Sequence, residues 1–164
     1  MTGRPTIPLR PLDPEEFAPF GDVLDTRGDP DKIINAGLCG RFHDRARLDF
    51  GPGGRAGISL FDAQPRALPY RLDLLEHHPD GSQAFIPMHS KPWLVIVAEP
   101  GEAPGRIHAF RAAPGQGVNL LRGTWHGVLT PLHAPGLFAV IDRIGSTPNL
   151  VEHPLPEPVT ILEA

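Results

Sequence analysis

Tyr70-Arg71-Leu72-Asp73-Leu74-Leu75-Glu76-His77-His78-Pro79-Asp80-Gly81-Ser82-Gln83-Ala84-Phe85-Ile86-Pro87 is the stretch on which the fold turns. Its first nine residues alternate apolar and polar side chains closely enough for a strand. Pro79-Asp80-Gly81 then makes a turn, because proline presets φ at one central position and glycine tolerates the positive φ that follows. A second short run begins at once, from Ser82 to Pro87. Strand, tight turn and strand leave no room for a helix between them, so this segment is β structure.

Downstream the same punctuation repeats. Trp93 to Ala98 (WLVIVA), Ile107 to Arg111, Gly117 to Leu121, Trp125 to Leu129 and Leu137 to Asp142 are short runs divided by Pro100-Gly101, Pro104-Gly105, Pro114-Gly115, Arg122-Gly123 and Pro135-Gly136. Upstream, Ala56 to Ala63 reads as a strand. Ile33 to Asn35 and Arg41 to Leu48 read as two more around Gly37 and Gly40, after a loop at Arg27 to Lys32. In the proline-rich tail, Val159 to Leu162 adds an edge strand or crosses to a partner. One short helix is expected: Asp13 is an N-cap, Pro14 occupies the first helical position and Glu16 the third, and Pro19 to Gly21 end it. The spacing of these runs predicts an all-β sandwich or barrel with a single N-terminal helix.

Composition agrees. The 164 residues make one domain spanning 1–164, and 21 prolines with 18 glycines argue against a helical fold. A formal net charge of −4 selects for neither nucleic acid nor an anionic membrane. The single cysteine, Cys39, excludes an intramolecular disulfide. With no basic-then-apolar leader and no apolar run of about 18 residues, the expectation is a soluble cytoplasmic protein.

Eight histidines are candidates for chemistry. Glu76 and His78 are two residues apart, so on a strand they face the same side, and Gln83 returns after the turn. Further on, Gly115-x5-Leu121-x-Gly123-x2-His126 paces another turn and ends on a histidine. Together these resemble the two-part cupin signature, with Glu76 and Gln83 in place of a histidine and a glutamate and Leu121 in place of a proline. Cupins are antiparallel jelly-roll barrels, which matches the strand reading. Glu76, His78, Gln83 and His126 then form a candidate set for a divalent metal, Ni²⁺ or otherwise Mn²⁺ or Zn²⁺.

Longer strings carry a closer resemblance. Ile34-Asn35-x-Gly37, Arg41-Phe42-His43-Asp44, Ala63-Gln64-Pro65, the run from Leu75 to Met88, Gly115-Gln116-Gly117-Val118-Asn119, Arg122-Gly123-Thr124-Trp125-His126 and Asp142-Arg143 are similar to the ureidoglycolate lyase family. The similarity runs from about residue 10 to residue 153. It implies a homodimeric cupin-like barrel, an association with nickel, and cleavage of ureidoglycolate to glyoxylate and urea. Two departures stand out. Leu120-Leu121-Arg122 takes the place of the family's Tyr-His-Arg, and Gly127 follows His126 where a second histidine is usual, so two site-facing histidines are expected to be missing. Leu150 also replaces the cysteine that usually follows the asparagine at 149.

The implied reaction removes a hydroxyl proton and protonates a leaving nitrogen, since expulsion of a urea anion is very unfavourable. His126 or His78 is expected to transfer protons, Glu76 to act as base or metal ligand, and Arg122 to clamp the substrate carboxylate through its planar fork. Arg41, His43, Asn119 and Arg143 complete the expected substrate-binding set. Plainer roles stand beside these: Arg122 as a loop-anchoring ion pair, Gln83 as a partner for buried backbone groups, Asp142-Arg143 as a strand terminus. His77, His89, His108 and His133 read as structural or exposed. A different metal-dependent cupin enzyme acting on a small carboxylate, or a non-catalytic barrel binding a small acid, are the alternative functions.

Overall fold

A computed structural model describes residues 3–164. In chain order its elements are β1 (Thr6–Pro8), β2 (Arg10–Pro11), α1 (Pro14–Phe17), β3 (Gly21–Leu24), β4 (Lys32–Ile34), β5 (Cys39–Arg41), β6 (Arg55–Asp62), β7 (Tyr70–His77), β8 (Gln83–Pro87), β9 (Trp93–Ala98), β10 (Ile107–Ala112), β11 (Gly117–Leu120), β12 (Trp125–His126), β13 (Thr130–Pro131), β14 (Leu137–Ile144) and β15 (Val151–Leu162). They form two facing sheets and a separate hairpin. The first sheet runs β1-β15-β7-β12-β9-β10-β2, with β13 also on β9; the second runs β3-β11-β8-β14-β6; β4 and β5 pair only with each other. This is the expected all-β barrel of cupin type.

Strand β9 explains how the layers are held. All six of its residues are buried. Trp93, Val95 and Val97 face the space between the sheets, where they meet Phe85, Phe110, Val118, Phe138 and Val140. Leu94, Ile96 and Ala98 face the other way, onto Leu72, Leu75, Trp125, Val159 and Ile161. A strand covered on both faces needs a continuous apolar run rather than an alternating one, which is the pattern of WLVIVA. Each large side chain buried in this way contributes about 1.5–3 kcal/mol.

The helix is short for the expected reasons. The Asp13 side chain accepts the N–H groups of Glu15 and Glu16 at 2.9 and 3.1 Å, and Pro14 sits at the first position. Phe17 anchors it by packing edge-on against Phe110, with ring centroids 5.7 Å apart.

Several boundaries differ from the sequence reading. Residues 42–48 are loop, because Asp31 and Asp22 draw Arg45 and Arg47 into side-chain ion pairs and also accept the backbone N–H groups of His43 and Arg47. The run at Trp125 breaks after two residues and resumes as β13. The tail forms a strand of twelve residues paired to β7 and β1 of its own chain. β1, β2 and β3 lie in proline- or glycine-flanked sequence that masks them, and all three are at sheet edges, where a missing N–H is tolerated.

Between Pro154 and Val159 the register of β15 on β7 shifts, with Pro154 opposite Leu74 and Val159 opposite Leu72. This bulge changes the phase of β7. Leu72 and Leu75, three residues apart, both enter the outer cluster with Trp125. His77 follows Leu75 to that side and stacks on Trp125 at 4.0 Å between ring centroids. Glu76 therefore points the other way, toward the barrel interior. No helix among the described residues is long and apolar enough to cross a membrane.

Candidate active site

Glu76, His78, Gln83 and His126 meet at one mouth of the barrel. His126 lies opposite Glu76 across the β7–β12 pair and opposite Val97 on β9, so it shares their inward face while Trp125 points outward. The Pro79-Asp80-Gly81 turn carries the chain from the first sheet into the second. Gln83 therefore arrives at the same mouth on β8, on the face of Phe85. One ligating atom from each of Glu76, His78 and His126 falls within a 4.8 Å set.

Both imidazoles are oriented by backbone. His78 Nδ1 donates to the carbonyl of Asn149 at 2.7 Å, and His126 Nδ1 donates to that of Thr124 at 3.0 Å. A carbonyl only accepts, so Nδ1 carries the hydrogen and Nε2 is the free nitrogen on both rings. Gln83 is fixed likewise, its Nε2 donating to Asp142 Oδ2 at 3.2 Å across the β8–β14 pair. What remains is His78 Nε2, His126 Nε2 and Gln83 Oε1, all buried and all without a hydrogen-bond partner. The Glu76 carboxylate completes them, its Oε1 3.6 Å from His126 Nε2. Buried acceptors left unpaired are costly, and three beside a carboxylate make a lone-pair cluster whose complement is a cation or a set of donors. Backbone carbonyls holding the distal nitrogens are the usual support for imidazoles that bind metals. The donor set fits a divalent metal.

Electrostatics follow from the same contacts. The neighbouring His126, helped by His78, holds the Glu76 carboxyl below the usual glutamate range, against the opposing effect of burial. Burial, reinforced by the closeness of His126, pushes His78 below the usual histidine value despite its hydrogen bond to Asn149. His78 is thus a neutral imidazole at neutral pH. The interior void touching His126 is about 20 Å³, room for no more than one water, so a substrate meets the cluster from the mouth. Glu76 is more accessible than His126, with 20 % of its side chain exposed against 4 %.

The remaining expected residues are not brought to this cluster. Arg122 is tied to the turn: its Nε donates to the Pro79 carbonyl at 2.7 Å, one residue from His78, and its Nη1 lies 3.8 Å from Asp49. Arg143 pins the 50–54 loop, donating to the carbonyls of Phe50 and Pro52 and to Thr147. Asn119 is buried on the face of β11 away from Val118 and Leu120. Its amide nitrogen bridges Asp22 and the Arg47 carbonyl. Arg41 and His43 are exposed on and just after the β4–β5 hairpin.

Of the two positions expected to lack a site-facing histidine, Gly127 faces the outer cluster. A Cβ there would meet Ile96 and Leu72 at 3.3–3.4 Å, so the absent histidine removes nothing from the mouth. Leu121 donates its backbone N–H to the Phe20 carbonyl at 3.0 Å and lines a separate small pocket with Pro19 and Phe20. The supports supplied by Asn149 and Thr124 escaped the sequence reading because they act through carbonyls, which every residue has. Asn149 also caps the turn through its side chain, Oδ1 accepting the Asp80 N–H at 2.8 Å.

Comparison with known proteins gives the lineage. The family model described as ureidoglycolate lyase matches residues 4–162. A protein named ureidoglycolate lyase from Rhodobacter capsulatus is 62% identical over 154 residues, covering 93% of this chain and 96% of that protein. One named ureidoglycolate lyase 2, from Rhizobium meliloti, is 48% identical over 94% of this chain and 96% of its own length. A third, from Mesorhizobium japonicum, is 50% identical over 89% and 91%. A match of this extent, on a barrel whose mouth carries the Glu76, His78 and His126 triad, places the chain in the ureidoglycolate lyase family.

Proposed function

We propose that this protein is a carbon–nitrogen lyase that cleaves ureidoglycolate to glyoxylate and urea. Family membership supports the reaction class, and relatives bearing that name align over about nine-tenths of the chain or more. The structural observation that carries the chemistry is the cluster of Glu76 with three unpartnered acceptors at the barrel mouth.

Ureidoglycolate bears a hydroxyl, a carboxylate and the ureido nitrogen on one carbon. Cleavage breaks O–H and C–N, forms C=O, and leaves the C–N electron pair on a nitrogen that must gain a proton. Glu76 is placed to serve both ends. Ionised at neutral pH, it takes the hydroxyl proton and returns it to the ureido nitrogen on the same carbon, so no net proton is consumed. His78, His126 and Gln83, with one Glu76 oxygen, would hold a divalent metal, Ni²⁺ or otherwise Mn²⁺ or Zn²⁺, whose Lewis acidity when bound stabilises charge on the hydroxyl oxygen. Arg122 has Nη2 without a protein acceptor among the described residues and is the proposed carboxylate clamp.

The same reading takes the active form to be a cytoplasmic homodimer with a small-molecule substrate. Support comes from the outer face of the second sheet, where Ile58, Leu60 and Ile86 form an exposed apolar row. Ile58 is 74% exposed there, which a second copy of the chain would relieve.

The test is release of urea and glyoxylate from racemic ureidoglycolate by purified protein, against the spontaneous blank, with chelator, with added Ni²⁺ and with His126→Ala. Turnover above the blank that the variant loses supports the proposal. No excess turnover under any metal condition overturns it.

A further inference from the structure

A large cavity lies away from this mouth, at the opposite end of the barrel. It is a cleft of about 600 Å³ where β10 turns into β11. Gly117 of β11 stands at this end and Leu120, beside Gln83, at the other; three strand steps separate the two by about 10 Å. Three arginines from distant parts of the chain, Arg27, Arg45 and Arg111, line the cleft together with Phe42, Asp25 and Gln116.

Its floor is rigid. Gln116 is buried, and all its polar groups are spent: Oε1 accepts the Ala113 N–H at 2.8 Å, Nε2 donates to Asp25 at 2.9 Å, and the carbonyl accepts the Trp93 indole N–H at 2.9 Å. Asp25 in turn accepts Arg27 Nε at 2.7 Å. The arginines are only partly used. Arg27 pairs through Nε alone, Arg45 through Nη2 to Asp31 and Arg111 through Nη2 to Glu163, so each keeps two nitrogens with no acceptor among the described residues. The Arg45 guanidinium also lies 5.5 Å from the centre of the Phe42 ring. Each of the three guanidiniums is paired with one carboxylate, Asp25, Asp31 or Glu163, so what the cleft offers an anion is its spare N–H donors rather than a net positive charge.

We propose that this cleft is a second ligand site, separate from the Glu76 centre, which binds a small organic dianion carrying a flat apolar body. Guanidinium forks pair with carboxylate or phosphate oxygens, and the spare nitrogens provide enough donors for two negative charges. Leu12, Leu24, Pro114 and the Phe42 ring form the apolar wall for the body. The volume is in the range of small-molecule sites. A dicarboxylate and a phosphate monoester share this chemistry.

Calorimetric titration of the full chain with isophthalate and with phenyl phosphate tests the site and separates the two sources. Inorganic phosphate and benzamide serve as controls for charge without a flat body and a flat body without charge. The expected result is saturable one-to-one binding of at least one dianion with a Kd under about 1 mM, weakened about tenfold or more in Arg27→Gln/Arg111→Gln and unchanged in Glu76→Gln. Arg45→Gln, whose residue lies outside the strands, gives a second variant should the double one fail to fold, and is expected to weaken binding several-fold. Absence of saturation by either probe to about 10 mM, equal binding by folded arginine variants, equal binding of benzamide, or loss of binding in Glu76→Gln overturns the proposal.

Discussion

Glu76 and His126 are a cross-strand pair whose functional atoms lie 3.6 Å apart, the carboxylate Oε1 facing the imidazole Nε2 inside the barrel mouth. The pairing joins β7 to β12, a strand of only two residues held between β7 and β9. Glu76→Gln keeps the shape and removes the proposed proton carrier. Lyase turnover is expected to fall by about 10²-fold or more, with the thermal midpoint little changed. Progress curves for urea release, read beside circular dichroism melts, check this.

Metal retention gives a separate readout. His78→Ala and His126→Ala each remove one of the unpartnered nitrogens, and each is expected to lower Ni²⁺ or Zn²⁺ affinity by about 10-fold or more. Gln83→Ala removes a weaker donor and should cost less. Titration of the chelator-treated protein with each ion, followed calorimetrically, measures all three. Equal affinity across wild type and the two histidine variants would remove the metal role.

Acid stability rests on another pair of carboxylates. Burial opposes ionisation of Asp22, yet the Arg47 N–H, the Asn119 amide and the Arg47 guanidinium together hold it below its usual value. Asp25 is held down against burial by Gln116 and Arg27. A carboxyl depressed in the folded state adds stability above its unfolded pKa of about 3.9, and that stability is lost as pH falls through the folded value. Urea midpoints should therefore drop between about pH 5 and pH 3, and Asp22→Asn should be less stable at neutral pH with a flatter acid limb.

Gly127→His restores the family's histidine pair in sequence only. Its side chain would enter the cluster of Ile96 and Leu72, so the expected outcome is a loss of about 1–3 kcal/mol in stability with metal affinity unchanged. Denaturant unfolding and the same metal titration check both parts.

For the dimer, Leu60→Asp places a charge in the exposed row of Ile58, Leu60 and Ile86. Light scattering during size exclusion should show the wild type at twice the chain mass and the variant shifted toward the monomer.

The sequence revealed the fold where punctuation was strong. The prolines and glycines between Leu75 and Leu137 bounded the central strands to within a few residues, WLVIVA among them. β1, β2 and most of β15 stayed hidden because proline at a sheet edge looks the same as proline in a loop. Glu76 and His78 were legible as a pair since spacing on a strand determines facing, and the resemblance to the cupin signature joined Gln83 and His126 to them. The loop roles of Arg143 and Asn119 were not, because their partners are carbonyls and carboxylates far away in the chain. The arginine cleft was invisible for the same reason: residues 27, 45 and 111 become neighbours only through the sheet topology.

The four residues Leu155 to Pro158 bulge out of the β15 ladder, and they act on the mouth without touching it. They work like a half-step in a two-beat rhythm: before the bulge β7 sends even-numbered residues outward, after it odd-numbered ones. Closing the ladder would force β7 into one alternation, so either Leu72 would leave the outer cluster or Glu76 would leave the face it shares with His126. The bulge in the tail thus reconciles the packing of Leu72 in the core with the inward facing of the candidate site at the other end of the same strand.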